Sequence, residues 1–355
     1  MHRTQIPAAS LALLRRGAVI PAHLLALDAN RRLDERRQRA MSRYYLDAGA
    51  GGLAVGVHST QFAIREKGLY KPVLELAMHE ALHWAPLDGR RPLFMIAGLA
   101  GPAAQAIAEA ETARTLGYHA GLLSLAALKG ADEDALIAHC RAVAEVMPLV
   151  GFYLQPAVGG LQLPASFWRR FAAIDNVVAI KMAPFNRYRT LDVVRGVVEA
   201  GAEGRIALYT GNDDHIVLDL LAPFVLMREG VPVRVRIQGG LLGHWSVGTR
   251  RAVELLACIH RAVAANDVPM DLLALDAQVT DCNAALFDVA HDFHGCIAGC
   301  HEVLRRQGVL EGIWCLDPQE GLSPGQADEL TRVHDAYPDL HDDDFVAANL
   351  QRWLG

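Results

Sequence analysis

Along the chain, short apolar runs alternate with longer segments whose apolar positions recur every three to four residues. The runs are Gly17–Pro21, Gly52–Val57, Pro92–Ala97, Ala120–Leu125, Leu149–Tyr153, Val177–Ile180, Ile206–Tyr209 and Val233–Ile237. Unbroken apolar runs suit strands buried on both faces, as parallel sheets require. Between them, Asp34–Ala48, Ala103–Leu116, Asp132–Val146, Leu191–Ala200 and Thr249–Ala265 read as helices. The acidic start of the third suits the positive end of a helix, and Thr249 is placed to serve as an N-cap. Repeated βα units predict an α/β fold with right-handed crossovers. An open doubly wound sheet competes with a closed (β/α)₈ barrel, a TIM barrel; no G-x-G-x-x-G follows the first strand, which selects the barrel. After about residue 268 the strand pattern stops. Leu272–Leu286, His291–Gln307, Pro324–Ala336 and Asp343–Leu354 read as helices, with Gly312–Leu322 a loop broken by Pro318 and Gly321. The expected organisation is a catalytic barrel over 1–267 and a C-terminal helical extension over 268–355.

Composition narrows the function classes. The chain has 355 residues, 52% apolar and 21% charged, with a formal net charge of -6. That allows one large core and shows no basic stripe, so no nucleic-acid partner is expected. Arg36–Arg37 and Arg250–Arg251 fit solvated helix faces. The six cysteines do not space like a disulfide framework, which fits a reducing, cytoplasmic setting. Met1–Arg16 lacks the long apolar region of a secretory signal, and no stretch is apolar enough to span a bilayer, so no membrane partner is expected.

A barrel does its chemistry at the C-terminal ends of its strands. Val177–Ile180 leads directly to Lys181. A lysine aimed into the barrel mouth is poorly solvated; desolvation lowers its pKa, and the neutral amine attacks carbonyls. The alternative is a lysine that snorkels to solvent. The fifth run ends at Tyr153, whose phenol could pass protons beside Lys181 or, alternatively, bond to the backbone inside the core. Gly56–Gln61 places His58, Ser59 and Thr60 at a strand-to-helix turn, where hydroxyls and N–H groups can hold a carboxylate.

These elements, in this order, resemble the dihydrodipicolinate synthase / N-acetylneuraminate lyase family. Tyr153-Leu154-Gln155-Pro156 is similar to the family's Y-x-x-P, and Val177–Lys181 to its lysine-bearing strand. The Gly56–Gln61 turn loosely resembles its G-T-T-G-E turn. Ile96-Ala97-Gly98, Gly211-Asn212-Asp213-Asp214 and Gly239–Gly243 with Ser246 resemble further family turns, over roughly residues 17 to 310. The resemblance implies a Schiff base between Lys181 and pyruvate or a related 2-oxo acid, with Tyr153 and Ser59 as proton relay, or His58 if the turn shifts by one residue. It implies substrate contacts from His58, Thr60, Gly239, Gly240 and Trp245, no cofactor, and a homo-oligomer, a dimer or a tetramer. The imine would serve a lyase or aldolase, a sugar-acid dehydratase, or a keto-acid-binding descendant without turnover.

Departures from the pattern argue against a true dihydrodipicolinate synthase. Where those synthases carry an arginine after Y-x-x-P, this chain has Ala157–Gly160. Where they carry a tyrosine turn after strand four, it has Ser124–Ala127. An acceptor carboxylate without a cation loses roughly 1.5–3 kcal/mol. His291, His294, Cys296, Cys300 and His301 crowd one segment, but a helix packed on the barrel accounts for them better than a metal. Asp213 and Asp214 read as caps for the following helix rather than metal ligands.

Overall fold

The computed structural model describes all 355 residues. Seven parallel strands follow in chain order: β1 (Val19–Pro21), β2 (Ala54–Val55), β3 (Ile96–Leu99), β4 (Ala120–Leu123), β5 (Leu149–Leu154), β6 (Val177–Ala183) and β7 (Ala207–Thr210). The hairpin strands β8 (Pro223–Arg228) and β9 (Val231–Arg236) come next, then the eighth parallel strand, β10 (Gly239–Leu242). β10 pairs with both β7 and β1. A bridge from Ala22 to Ala54 brings β1 against β2, so the sheet closes into a (β/α)₈ barrel.

The eighth strand is therefore not Val233–Ile237, as the apolar run suggested. That segment pairs antiparallel with β8 outside the barrel, and its residues are mostly exposed or half-buried. Its alternation of valine with arginine is the mark of a strand with one wet face. The buried strand is the glycine-rich segment that reads as a loop. A Cβ on Gly239 would lie 2.6 Å from the Ala18 backbone, and one on Gly240 would lie 2.5 Å from the Trp245 ring. Close packing, not a ligand, explains both glycines.

Around the barrel run α2 (Glu35–Ala48), α3 (Tyr70–His83), α4 (Ala103–Thr115), α5 (Glu133–Ala144), α6 (Ala165–Ala172), α7 (Arg187–Glu199), α8 (Ile216–Leu221) and α9 (Thr249–Ala265). Asp34, Asp132 and Asn186 cap α2, α5 and α7 with their side chains. A short helix before the first strand, α1 (Ala8–Arg16), lies under the barrel's N-terminal end, where Tyr209 donates its phenol proton to Leu14 O at 2.8 Å. Four helices complete the chain: α10 (Met270–Leu286), α11 (Cys296–Arg306), α12 (Gln326–Ala336) and α13 (Asp343–Leu354). No helix is long and apolar enough to cross a membrane.

Thr249 does not cap α9. Its hydroxyl donates back to Trp245 O at 2.6 Å. Instead, Asp342 accepts from the N–H groups of Arg250 and Arg251 at 2.7 and 3.0 Å, and the Tyr44 hydroxyl takes the Thr249 N–H at 3.0 Å. One apolar core runs from the helices around the barrel into the last four, through Leu286, Leu304, Leu330, Val346 and Trp353. A second, smaller core fills the barrel interior with Ile20, Ile96, Leu122, Val150, Phe152 and Leu241.

Candidate active site

The C-terminal mouth of the barrel holds a cavity of about 90 Å³, well above the roughly 15 Å³ that one water needs. Lys181 reaches it from β6. Side chains of a strand alternate between faces, so Ala179 and Ala183 point inward with Lys181, while Ile180 and Met182 join the outer core. The lysine is only 9% exposed, and its Nζ lies 4.7 Å over the Phe152 ring. Its route is kept open by Gly211: a Cβ there would stand 2.5 Å from Lys181 Cε. Burial lowers the amine to about 8, partly offset by the nearby Asp213 charge.

Tyr153 does not face the lysine. In the register of the two strands Phe152 pairs with Lys181, and Tyr153 pairs with Met182. The phenol therefore lies in the outer layer, packed on Trp168 with ring centroids 5.3 Å apart. Its oxygen accepts the Leu163 N–H at 3.2 Å. An extra residue in β6, Val178, opposite the step from Leu149 to Val150, sets this register. A tyrosine in that layer cannot pass protons to the amine, so Tyr153 is not the relay that its motif implies.

The strand-two turn folds as a 3₁₀ turn, His58–Thr60. Its own bonds run from Thr60 N–H to Val57 O and from Gln61 N–H to His58 O, so the N–H groups of His58 and Ser59 take no part in them. His58 and Ser59 border the cavity. The Ser59 hydroxyl donates to Ala22 O at 2.9 Å. Burial, with the Lys181 charge behind it, lowers His58 to about 4, so its ring is neutral near pH 7. Thr60 lies outside the cavity: its fully buried hydroxyl donates to His23 O at 2.6 Å and accepts the Gly56 N–H at 3.0 Å. It braces the turn. The turn is further held by Arg65, which bonds to Gly56 O and Gly98 O while pairing with Glu109.

Gly239, Gly240 and Trp245 also lie off the cavity, with Trp245 buried against Gly240. From that part of the chain only Gly243 borders it.

Asp213, in contrast, is an acid that the sequence offers only as a cap. The N-cap of α8 is His215, and Asp213 borders the cavity with Oδ1 unpartnered and buried. Burial raises its carboxyl to about 7, against the pull of Lys181. The preceding Asn212 fixes the turn, accepting the Phe185 N–H at 3.1 Å and donating to Thr190 and Asp219. A signal was present: two acids just past an apolar run, more than one cap can use.

The C-terminal helices roof the cavity with Phe287, Phe293, Cys296, Ile297 and Cys300. Burial raises the Cys296 thiol to about 12 and that of Cys300 well above the ordinary range. The crowded His291–His301 segment does not converge: His291 pairs with Asp288 at 2.6 Å, and His301 is buried beside Ile313.

Comparison with known proteins bears on the family and the fold. The model of the Dihydrodipicolinate synthetase family matches residues 15–223. A 4-hydroxy-tetrahydrodipicolinate synthase of Desulforudis audaxviator (strain MP104C) is 28% identical over 212 residues, which are 58% of this chain and 66% of that relative. The chain thus spans just under two thirds of the relative's length. Among solved structures, YagE of E. coli K12, in complex with pyruvate, superposes with a TM-score of 0.72 at 17% identity, covering 90% of this chain and 98% of that one. N-acetylneuraminate lyase from Fusobacterium nucleatum gives 0.70 at 15% identity, covering 91% and 99%. These likenesses carry the fold, and the family model, matching more than half of the sequence, carries the kinship: the chain belongs to the dihydrodipicolinate synthetase family.

Proposed function

We propose that this protein is a lyase of the Schiff-base aldolase type, in which Lys181 condenses with the C2 carbonyl of pyruvate or a related 2-oxo acid. The observation that carries this reading is a single buried lysine at the C-terminal mouth of the barrel, its amine lowered toward neutrality by desolvation. The 2-oxo acid carboxylate lies against the His58–Ser59 turn and takes its N–H groups, with the Ser59 hydroxyl bracing the turn on Ala22 O. Asp213, with a carboxyl titrating near pH 7, moves protons to and from the carbinolamine in place of Tyr153. The imine then acts as an electron sink for making or breaking the adjacent carbon bond. The lysine itself supplies the electrophile, so the chemistry calls on no organic cofactor.

The reaction is not dihydrodipicolinate synthesis in this reading. Neither Ala157–Gly160 nor Ser124–Ala127 brings an arginine or a tyrosine to the cavity. The outward turn of Tyr153 favours one alternative, a keto-acid-binding descendant without turnover.

The test is reduction with borohydride in the presence of pyruvate, followed by peptide mass mapping. A pyruvyl adduct on Lys181 is expected. No adduct with any of a panel of 2-oxo acids, beside a labelled control enzyme, would sink the proposal. An adduct without turnover of any substrate would select the binding protein.

A further inference from the structure

The cavity has two unlike halves. Its floor carries Lys181, Asp213, His58 and Ser59, and its roof is built from Leu154, Val158, Phe185, Phe287, Phe293 and Ile297. The roof comes from three separate places: the end of β5 with its following turn, the turn after β6, and the α10–α11 region. No arginine borders the cavity, and no lysine except Lys181.

Two roof residues are held in a costly backbone shape. Phe185 has φ 49° and Phe293 φ 67°, a left-handed region that bulky residues rarely adopt. Their rings meet edge to face with centroids 5.8 Å apart. Each is clamped from behind. The Phe185 N–H is fixed by buried Asn212. Phe293 follows two more left-handed residues, Asp288 and Asp292, in a loop gathered by the Asp288 carboxylate. That carboxylate accepts from the Ser323 hydroxyl and from the Gly295 N–H at 2.9 Å. Such strain persists where the surroundings impose it, and it clusters at ligand clamps.

We propose that the second substrate is an uncharged aldehyde with a flat apolar body, an aryl aldehyde, seated under Phe185 and Phe293. This rests on the Schiff-base reading above. Gln155, beside Leu154 and Val158, offers that side one uncharged amide and no cation, so a second carboxylate would be buried without a counter-charge and a chain of hydroxyls would outnumber its partners against phenylalanine, leucine and isoleucine. An aryl ring instead meets aromatic edges and faces and releases water from the roof. In the cleavage direction the imine is that of a 4-aryl-4-hydroxy-2-oxobutanoate. Its C4 hydroxyl gives its proton to Asp213 as the C3–C4 bond breaks, and the bonding pair enters the imine to form the enamine. The aryl aldehyde leaves, the enamine takes a proton at C3, and water hydrolyses the imine to pyruvate and free Lys181. No oxidant or reductant is needed.

The test uses the full chain with pyruvate and three aldehydes: benzaldehyde, glyceraldehyde and succinic semialdehyde. Benzaldehyde is expected to exceed both others in kcat/KM by about 10- to 100-fold. Phe293→Asn is the diagnostic variant, because asparagine accepts the left-handed backbone while the ring is removed; it should erase most of that preference and leave the pyruvate adduct intact. Benzyl alcohol, glycerol and 4-hydroxybutanoate, which cannot form imines, are titrated in parallel by NMR, and benzyl alcohol should bind tightest. Preference for the polyol or the charged aldehyde, with a normal pyruvate adduct, overturns the aryl proposal alone. Tight benzyl alcohol binding without any adduct overturns the Schiff-base reading and leaves the apolar roof standing.

Discussion

β5 and β6 are neighbours in one barrel and share a register, yet they treat their polar residues in opposite ways. β6 turns Lys181 into the mouth, its amine over the Phe152 ring. β5 turns Tyr153 out into the helical layer, against Trp168 and the Leu163 N–H. One residue of phase separates a reactive group from a packing group, since a strand's side chains change face at every step. In the proposed mechanism the acid that serves the lysine therefore comes from the turn after β7 and not from the strand beside it.

Breaking the β6 side has the largest consequence. Lys181→Met should abolish both the pyruvate adduct and turnover, with the fold retained by circular dichroism; an active variant would remove the lysine from the mechanism. Asp213→Asn comes next, with kcat expected to fall about 10²- to 10⁴-fold. It also has a signature in pH. Imine formation should rise as pH passes about 8, where the amine loses its proton. The Asp213 charge favours the ammonium, so its removal should move that inflection to lower pH; no shift would mean that the two groups do not sense each other. Gly211→Ala pushes on Lys181 Cε and should slow adduct formation by about 100-fold with little change in substrate range, as expected for a displacement near 1 Å. The smallest effect belongs to the β5 side. Tyr153→Phe should change the rate less than about twofold and lower stability by about 1 kcal/mol, read by denaturant titration. A large rate loss there would show that the phenol reaches the amine after all.

The sequence disclosed the fold through periodicity, and Lys181 through a charge set in an apolar strand. α9 and α13 have the bounds that their patterns predict. Spacing alone could not reveal how β5 faces Lys181, because an extra residue in β6, Val178, shifts the register so that Phe152 and not Tyr153 stands opposite the lysine. Nor could it find the eighth strand: an exposed hairpin carried the stronger apolar pattern, while glycines disguised the true strand. The expected contacts of Thr60 and Trp245 failed for a related reason. Both sit near the site in sequence, but one hydroxyl is consumed by its own turn and one ring by a glycine. Asp213 was misread because a cap and a buried acid look alike until the helix start is known.

Asp342 has a consequence for how the molecule could be divided. It closes the N-terminus of α9, the last helix of the barrel, from the far end of the chain. A fragment ending at 267 would lose that cap, which alone is worth about 1–2 kcal/mol, and with it the part of the roof that Phe287, Phe293 and Ile297 supply. The barrel and its extension then behave as one cooperative unit, and such a fragment should emerge from expression as a molten or aggregated species. A well-folded fragment with a sharp melting transition would show that the two parts are separable after all.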